Sequence, residues 1–119
     1  MPDFYSNFQV LKMHEQEGRD YWINTRSNWH QVLIIAPHGG KIEPYTSEIA
    51  KWIADEDFSW YSFEGINQRL HITSHNFDEP TLLQALRKAS TVVTIHGLKN
   101  SMEEFLIVFC KIKIPKVAS

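Results

Sequence analysis

The sequence predicts an α/β layered fold, with a mixed, mostly parallel sheet flanked by helices. Two observations carry that expectation. Gln31 to Ala36 (QVLIIA) and Thr91 to Ile95 (TVVTI) are short apolar runs rich in β-branched residues, the pattern of strands buried on both faces. Helix-like spacings lie before and between them, and strand–helix alternation of this kind argues for parallel neighbours in one sheet. The length, 119 residues with 43% hydrophobic and 22% charged, fits one domain over 1–119 with a modest core.

The elements follow in order. From about Asn7 to Glu17 the apolar residues Phe8, Leu11 and Val10 gather on one helical face, and Gly18 supplies a stop. Asp20 to Thr25 alternates as a short strand, and Arg26 to Trp29 reads as a turn. Gln31 to Ala36 is the clearest strand, and Pro37 ends it. Thr46 is the expected N-cap of a helix running to about Ala54, with Ile49, Ala50 and Ile53 facing inward. Phe58 to Phe63 and Leu70 to Thr73 read as two strands about a Gly65-Ile66-Asn67 turn. Pro80 to Ala89 reads as a helix with proline in its first turn, where the missing N–H costs little. Thr91 to Ile95 is the second buried strand, and Phe105 to Cys110 a last one.

Composition removes several classes of function. Net charge is −2 with the six histidines neutral. The basic residues are scattered apart from Lys111, Lys113 and Lys116, a poor match to a phosphate-binding surface, so no nucleic-acid partner is expected. Cys110 is alone within FLIVFC, which excludes an intrachain disulfide and suits a buried, inert thiol. The start, MPDFYSNFQVLK, lacks the basic and apolar regions of a signal peptide, and no apolar run is long enough to span a membrane. The expectation is a cytoplasmic protein without a membrane partner, open to later release by cell lysis.

The chemistry-bearing pattern is a repeat of placement. QVLIIAPHGG and TVVTIHG each deliver a histidine just past the end of a buried strand, the edge at which open α/β sheets gather ligands. If the two strands are neighbours, His38 and His96 face one crevice, and the glycine beside each leaves room for a tight turn and a ligand. Glu43 follows in HGGKIEP, at a spacing that suits a loop folding back. Two imidazoles and a carboxylate form a frequent catalytic zinc set with water in the fourth position. Each histidine alone reads equally well as a hydrogen-bonded loop residue; the matched pair favours a metal site.

APHGGKIEPYTSEIAKWIA, then YSFEG, LHITSHNFDEP and TVVTIHG, occur in an order that resembles the phage-type poly-γ-glutamate hydrolase family, whose relatives include proteins labelled phage replication-related. The resemblance runs from about Tyr5 to about Gly97. It implies a zinc carboxypeptidase-like α/β core that cleaves γ-glutamyl amide bonds, with poly-γ-glutamate or another γ-glutamyl polymer as the partner. It puts the zinc ligands on His38, Glu43 and His96.

The remaining polar residues have plainer readings. His71, inside the Leu70 to Thr73 strand pattern, reads as structural or substrate-facing rather than as a ligand, and His75 as a solvated loop residue. Glu64, Asp78 and Glu79 are candidates to orient a zinc-bound imidazole, and Asp78 equally to cap the helix at Pro80. Neither Arg69 nor Arg87 is placed by a motif. After Gly97 the family pattern of a Gly-Gly turn and a later glutamate resembling a general base is not matched, which marks the domain as missing its C-terminal part. Glu103 and Glu104 read as exposed charges rather than substitute bases. The catalytic residues therefore stay unassigned, and two readings remain: a zinc-dependent γ-glutamyl hydrolase, or a weak or inactive relative serving as a metal-binding or interaction module. An apolar final strand at a sheet edge also invites pairing with a second copy. Cleavage of ordinary α-peptides is disfavoured, because HxxxxE is longer than the HxxE of those enzymes.

Overall fold

The computed structural model describes residues 2–28, 31–99 and 105–113. Three helices, α1 (Phe8–His14), α2 (Thr46–Ala54) and α3 (Pro80–Lys88), accompany five strands: β1 (Tyr21–Arg26), β2 (Val32–Gly40), β3 (Ser59–Gly65), β4 (Thr91–Lys99) and β5 (Phe105–Lys113). The strands form one sheet in the order β1-β3-β2-β4-β5. The three central strands run parallel, and β1 and β5 pair antiparallel at the two edges. The α/β mixed sheet is the fold class expected from the sequence.

Alternation along β2 explains why helices are needed on both faces. Leu33 and Ile35 enter one core with Phe8 and Leu11 of α1 and Leu82 of α3. Ile34 and Ala36 enter the other, with Ala50 and Ala54 of α2. A strand with no polar face has to be covered twice. The larger core is aromatic: Phe8, Tyr21, Phe63 and Phe77 meet at centroid separations of 5.0–6.2 Å, mostly edge to face. Among the described residues no helix is long and apolar enough to cross a membrane.

Several local expectations are corrected. α1 stops at His14, where Glu15 turns extended and its carboxylate is drawn to Arg69 and to the Tyr5 hydroxyl. β2 does not end at Pro37 but runs on to Gly40, because the register shifts between Ala36 and Gly39 and the bulge absorbs the missing N–H. The N-cap of α2 is Tyr45, held in the left-handed region (φ 75°), and Thr46 is the first helical residue. Leu70 to Thr73 is no strand. It joins two short 3₁₀ turns, and its N–H groups do not pair with a strand: that of His71 goes to Gln68 O and that of Thr73 to the Asp3 carboxylate. Glu79, not Asp78, caps α3 by accepting from the Thr81 and Leu82 N–H groups, while Asp78 accepts from Phe8 N. The readings of Trp29, of Glu103 and Glu104, and of the Cys110 side chain lie outside the described residues.

Candidate metal centre

β2 and β4 are parallel neighbours, paired from Val32↔Thr91 to Ile35↔Thr94, so their ends open on one edge of the sheet. His38 sits on the bulged end of β2 and is 3% exposed, and His96 sits beyond the last β2 pair on β4, half-buried. The loop between them is tied down by its own backbone: Glu43 N donates to His38 O (2.7 Å) and Ile42 N to Gly39 O (3.3 Å). The buried Thr46 hydroxyl donates back to Glu43 O (2.9 Å), which fixes the loop to the start of α2. Gly40 adopts φ 68°, and a Cβ there would stand 2.6 Å from Gly65 O, so only glycine lets the loop leave β2.

This geometry brings the three expected residues together. Glu43 lies between the histidines, with Oε2 3.3 Å from His38 Nδ1 and Oε1 3.7 Å from His96 Nδ1. Gly97 N–H also donates to Glu43 Oε1 (3.1 Å). The His38 and His96 rings are 5.5 Å apart at 44°. A tetrahedral ion with bonds of about 2.0–2.1 Å holds its donors roughly 3.3–3.4 Å apart; each Glu43 oxygen is near that distance from one histidine, but among the described residues His38, Glu43 and His96 do not bring one ligand atom each within 4.8 Å of the others.

A further histidine joins the cluster. One ligand atom each from His38, Glu43 and His71 lies within 4.8 Å of the others. The His71 ring stacks on His38 at 4.1 Å with 26° between planes. Nearly parallel imidazoles direct their in-plane lone pairs side by side, whereas two ligands of one ion must converge on it. In this arrangement the His38 and His71 rings do not converge on one point. The strand pattern of Leu70 to Thr73 hides His71 from the sequence. The signal available was its position between Leu70 and Ile72, both fully buried, which turns the side chain between them to the other side of an extended segment.

The electrostatics ask for a cation. His38 Nε2 lies 2.6 Å from Ile72 O, an acceptor only, so Nε2 carries a proton and Nδ1 is the ring nitrogen left to face Glu43. That Nδ1 is buried without a hydrogen-bond partner among the described residues and lies 3.3 Å from the Glu43 carboxylate, so it either gives a proton to that carboxylate or, deprotonated, is free to bind a cation. A metal ion between them satisfies both, and the Nε2–H bond to a backbone carbonyl is the outer partner that metal-bound histidines commonly have. Burial pushes the Glu43 carboxyl up, but His38, the Gly97 N–H and His96 outweigh it and hold the group below its ordinary range. Burial lowers the His96 pKa, with the neighbouring His38 adding to the effect, and favours the neutral ring that a metal requires.

The other candidates lie elsewhere. Glu64 meets Asn24, Ser62 and Lys51, and Arg69 is held by Glu15 in a two-pronged contact of 2.8 and 2.9 Å. Glu79 accepts from the buried Tyr61 hydroxyl, and His75 is exposed.

The fold is thus a parallel-centred α/β sheet that gathers two histidines and a carboxylate at its strand ends. The sequence profile of the poly-gamma-glutamate hydrolase family matches residues 5–108, and the chain belongs to that family. The match continues past Gly97 into β5, further than the motifs reach. The chain is 44% identical over 109 residues to the SPbeta prophage-derived UPF0714 protein YoqZ of Bacillus subtilis (strain 168), covering 88% of this chain and 39% of that protein. It is 41% identical over 111 residues to the UPF0714 protein YmaC of the same strain, covering 89% and 46%. Among solved structures it is similar to a bacteriophage poly-gamma-glutamate hydrolase, with TM-score 0.79, 34% identity and coverage of 82% of this chain and 50% of that one. It is also similar to a zinc-free apo form of YndL, with TM-score 0.72, 34% identity and coverage of 82% and 55%. The chain thus spans less than half of these curated relatives and about half of these solved chains.

Proposed function

We propose that this chain carries the metal-binding part of a zinc-dependent hydrolase of γ-glutamyl amide bonds, with His38, Glu43 and His96 as the ligands. The observation that carries the reading is the buried His38 Nδ1, without a hydrogen-bond partner among the described residues and 3.3 Å from a carboxylate. The family, and the naming of one similar protein as a poly-gamma-glutamate hydrolase and another as zinc-free, support poly-γ-glutamate and zinc as substrate and metal.

Bound zinc would polarise the scissile carbonyl and lower the pKa of a water to about 7. The chain's own residues prepare for this. The Ile72 carbonyl orients His38, the Gly97 N–H orients Glu43, and Thr46 and the backbone of Gly39 and Glu43 hold the loop that carries the carboxylate.

A second reading, a metal-binding or interaction module with little turnover, is favoured by one feature. Among the described residues Glu43 is the carboxylate within ion-pair distance of His38 and His96, and it is committed to the ion. A positioned general base ordinarily adds about 10²–10⁴ in rate. Incubation with poly-γ-glutamate and zinc, followed by polymer length, separates the two. Shortening abolished by EDTA and by His38→Ala supports the hydrolase; zinc binding with unchanged polymer length supports the module.

A further inference from the structure

The N-terminal segment reaches into the cluster. Asp3, twelve per cent exposed at its side chain, accepts from His71 Nδ1 at 2.8 Å through Oδ1. Its Oδ2 accepts from Thr73 N (2.6 Å) and Thr73 Oγ1 (2.8 Å). Burial alone would raise the Asp3 carboxyl, but the bonds from Thr73 and His71 outweigh it and hold it ionised below its ordinary range. A carboxylate only accepts, so the proton between the two groups sits on His71 Nδ1. A ring with that one proton has its lone pair on Nε2. His71 is stacked on His38, with a ring nitrogen close to the ligand atoms of His38 and Glu43.

We propose that Asp3 is a positioning residue that fixes His71 as the Nδ1–H tautomer, so that Nε2 serves as a hydrogen-bond acceptor beside the ion for an amide N–H of the bound chain. This rests on the hydrolase reading for its substrate, but the tautomer does not. The geometry separates the two roles in the cluster: His38 turns Nδ1 to the metal and Nε2 to a backbone carbonyl, whereas His71 gives Nδ1 to a carboxylate and is too nearly parallel to His38 to converge on the same ion. Asp3 precedes α1 by several residues, yet it sets the chemistry of a loop some seventy positions away. A polar N-terminal residue thereby gains a role at the site that its own neighbourhood in sequence does not announce.

Nitrogen-15 imidazole spectra in mildly alkaline solution test this, with His71 assigned by the peaks lost in His71→Ala. The metal-free parent is expected to show a protonated Nδ1 and an unprotonated Nε2 at His71. Asp3→Ala is expected to move the proton toward Nε2, while Thr73→Val, which removes another Asp3 contact, leaves the tautomer unchanged. A parent spectrum with Nε2 protonated overturns the proposal by itself, whether or not the variant folds. So does an Asp3→Ala spectrum identical to the parent's. Zinc is expected to shift the His38 Nδ1 signal and to leave His71 Nε2 unprotonated and unligated. If His71 were a ligand with Asp3 behind it, Asp3→Ala would weaken zinc by roughly 10–100-fold; the expected change is less than about threefold. A zinc-induced shift typical of ligation at His71 Nε2 would make it a ligand and end the acceptor role. With zinc bound, γ-glutamyl-glutamate is expected to bind about five- to tenfold more weakly to His71→Ala than to the parent, the loss of one neutral hydrogen bond. Equal affinity, or binding by neither, overturns the acceptor role. A parent that binds no zinc contradicts the hydrolase reading and leaves the tautomer measurement to decide the place of Asp3.

Discussion

Replacing Gly39 by alanine probes why the end of β2 needs glycine where the backbone conformation does not. A Cβ built there would stand 1.8 Å from Ser47 Oγ, 2.9 Å from Phe63 O and 3.1 Å from Glu64 Cγ. Ser47 is fully buried on the inner face of α2, so the first turn of the helix must back away from the sheet to admit a methyl group. Overpacking of this kind costs about 1–3 kcal/mol. With roughly 2.1 cal/mol/K of unfolding entropy per residue, a chain of 119 residues has about 250 cal/mol/K, and the melting temperature should fall by about 4–12 °C. Thermal unfolding followed by circular dichroism reads this directly. Ser47 Oγ is buried without a partner among the described residues, so Ser47→Ala alone should be neutral or stabilise by up to about 1 kcal/mol. In the double variant the nearest clash is gone and the Phe63 O contact remains, so the two substitutions should couple by about 1 kcal/mol or more. Gly39→Ala within about 0.5 kcal/mol of the parent, or strict additivity with Ser47→Ala, would refute the claim that the close approach of α2 dictates the glycine.

Zinc at about 100 times its dissociation constant should stabilise the folded chain by about 2.7 kcal/mol, a rise of roughly 11 °C by the same entropy, and His38→Ala should abolish it; an equal rise in that variant would count against the site. The metal-free chain should lose stability on acidification. His96, depressed in the folded state, is protonated more readily when unfolded, so its contribution is full above the ordinary value of 6.5 and declines below it. Glu43 is depressed as well, so its contribution is full above the ordinary value of 4.5 and is lost as pH falls through the lower folded value. Urea titrations across this range check the sign, and stability that rises on acidification would contradict both assignments.

Much of this architecture was legible in residue pattern, because burial on both faces writes itself into consecutive apolar residues. The runs at Gln31 to Ala36 and Thr91 to Ile95 are the central strands β2 and β4, and their parallel pairing is what brings His38 and His96 to one edge. Pro37 misled, since a bulge tolerates a residue without N–H and lets β2 continue beneath the histidine. Leu70 to Thr73 misled for a different reason. Its apolar alternation is real, with Leu70 and Ile72 buried, but its N–H groups answer to Gln68 and Asp3 instead of to a strand. The pattern therefore conceals His71, and nothing in the sequence around Asp3 marks it. Contacts such as Asp3 to His71 join positions far apart in sequence, and no local periodicity encodes them.

A structure of the zinc-loaded chain with the ion located by its anomalous scattering tests the assignment most directly. One ion should be bonded to His38 Nδ1, a Glu43 carboxylate oxygen and His96 at about 2.0–2.2 Å, with His71 beside it and its Nδ1 still on Asp3. An ion held by His71 in place of His96, or bound away from Glu43, would contradict the assignment.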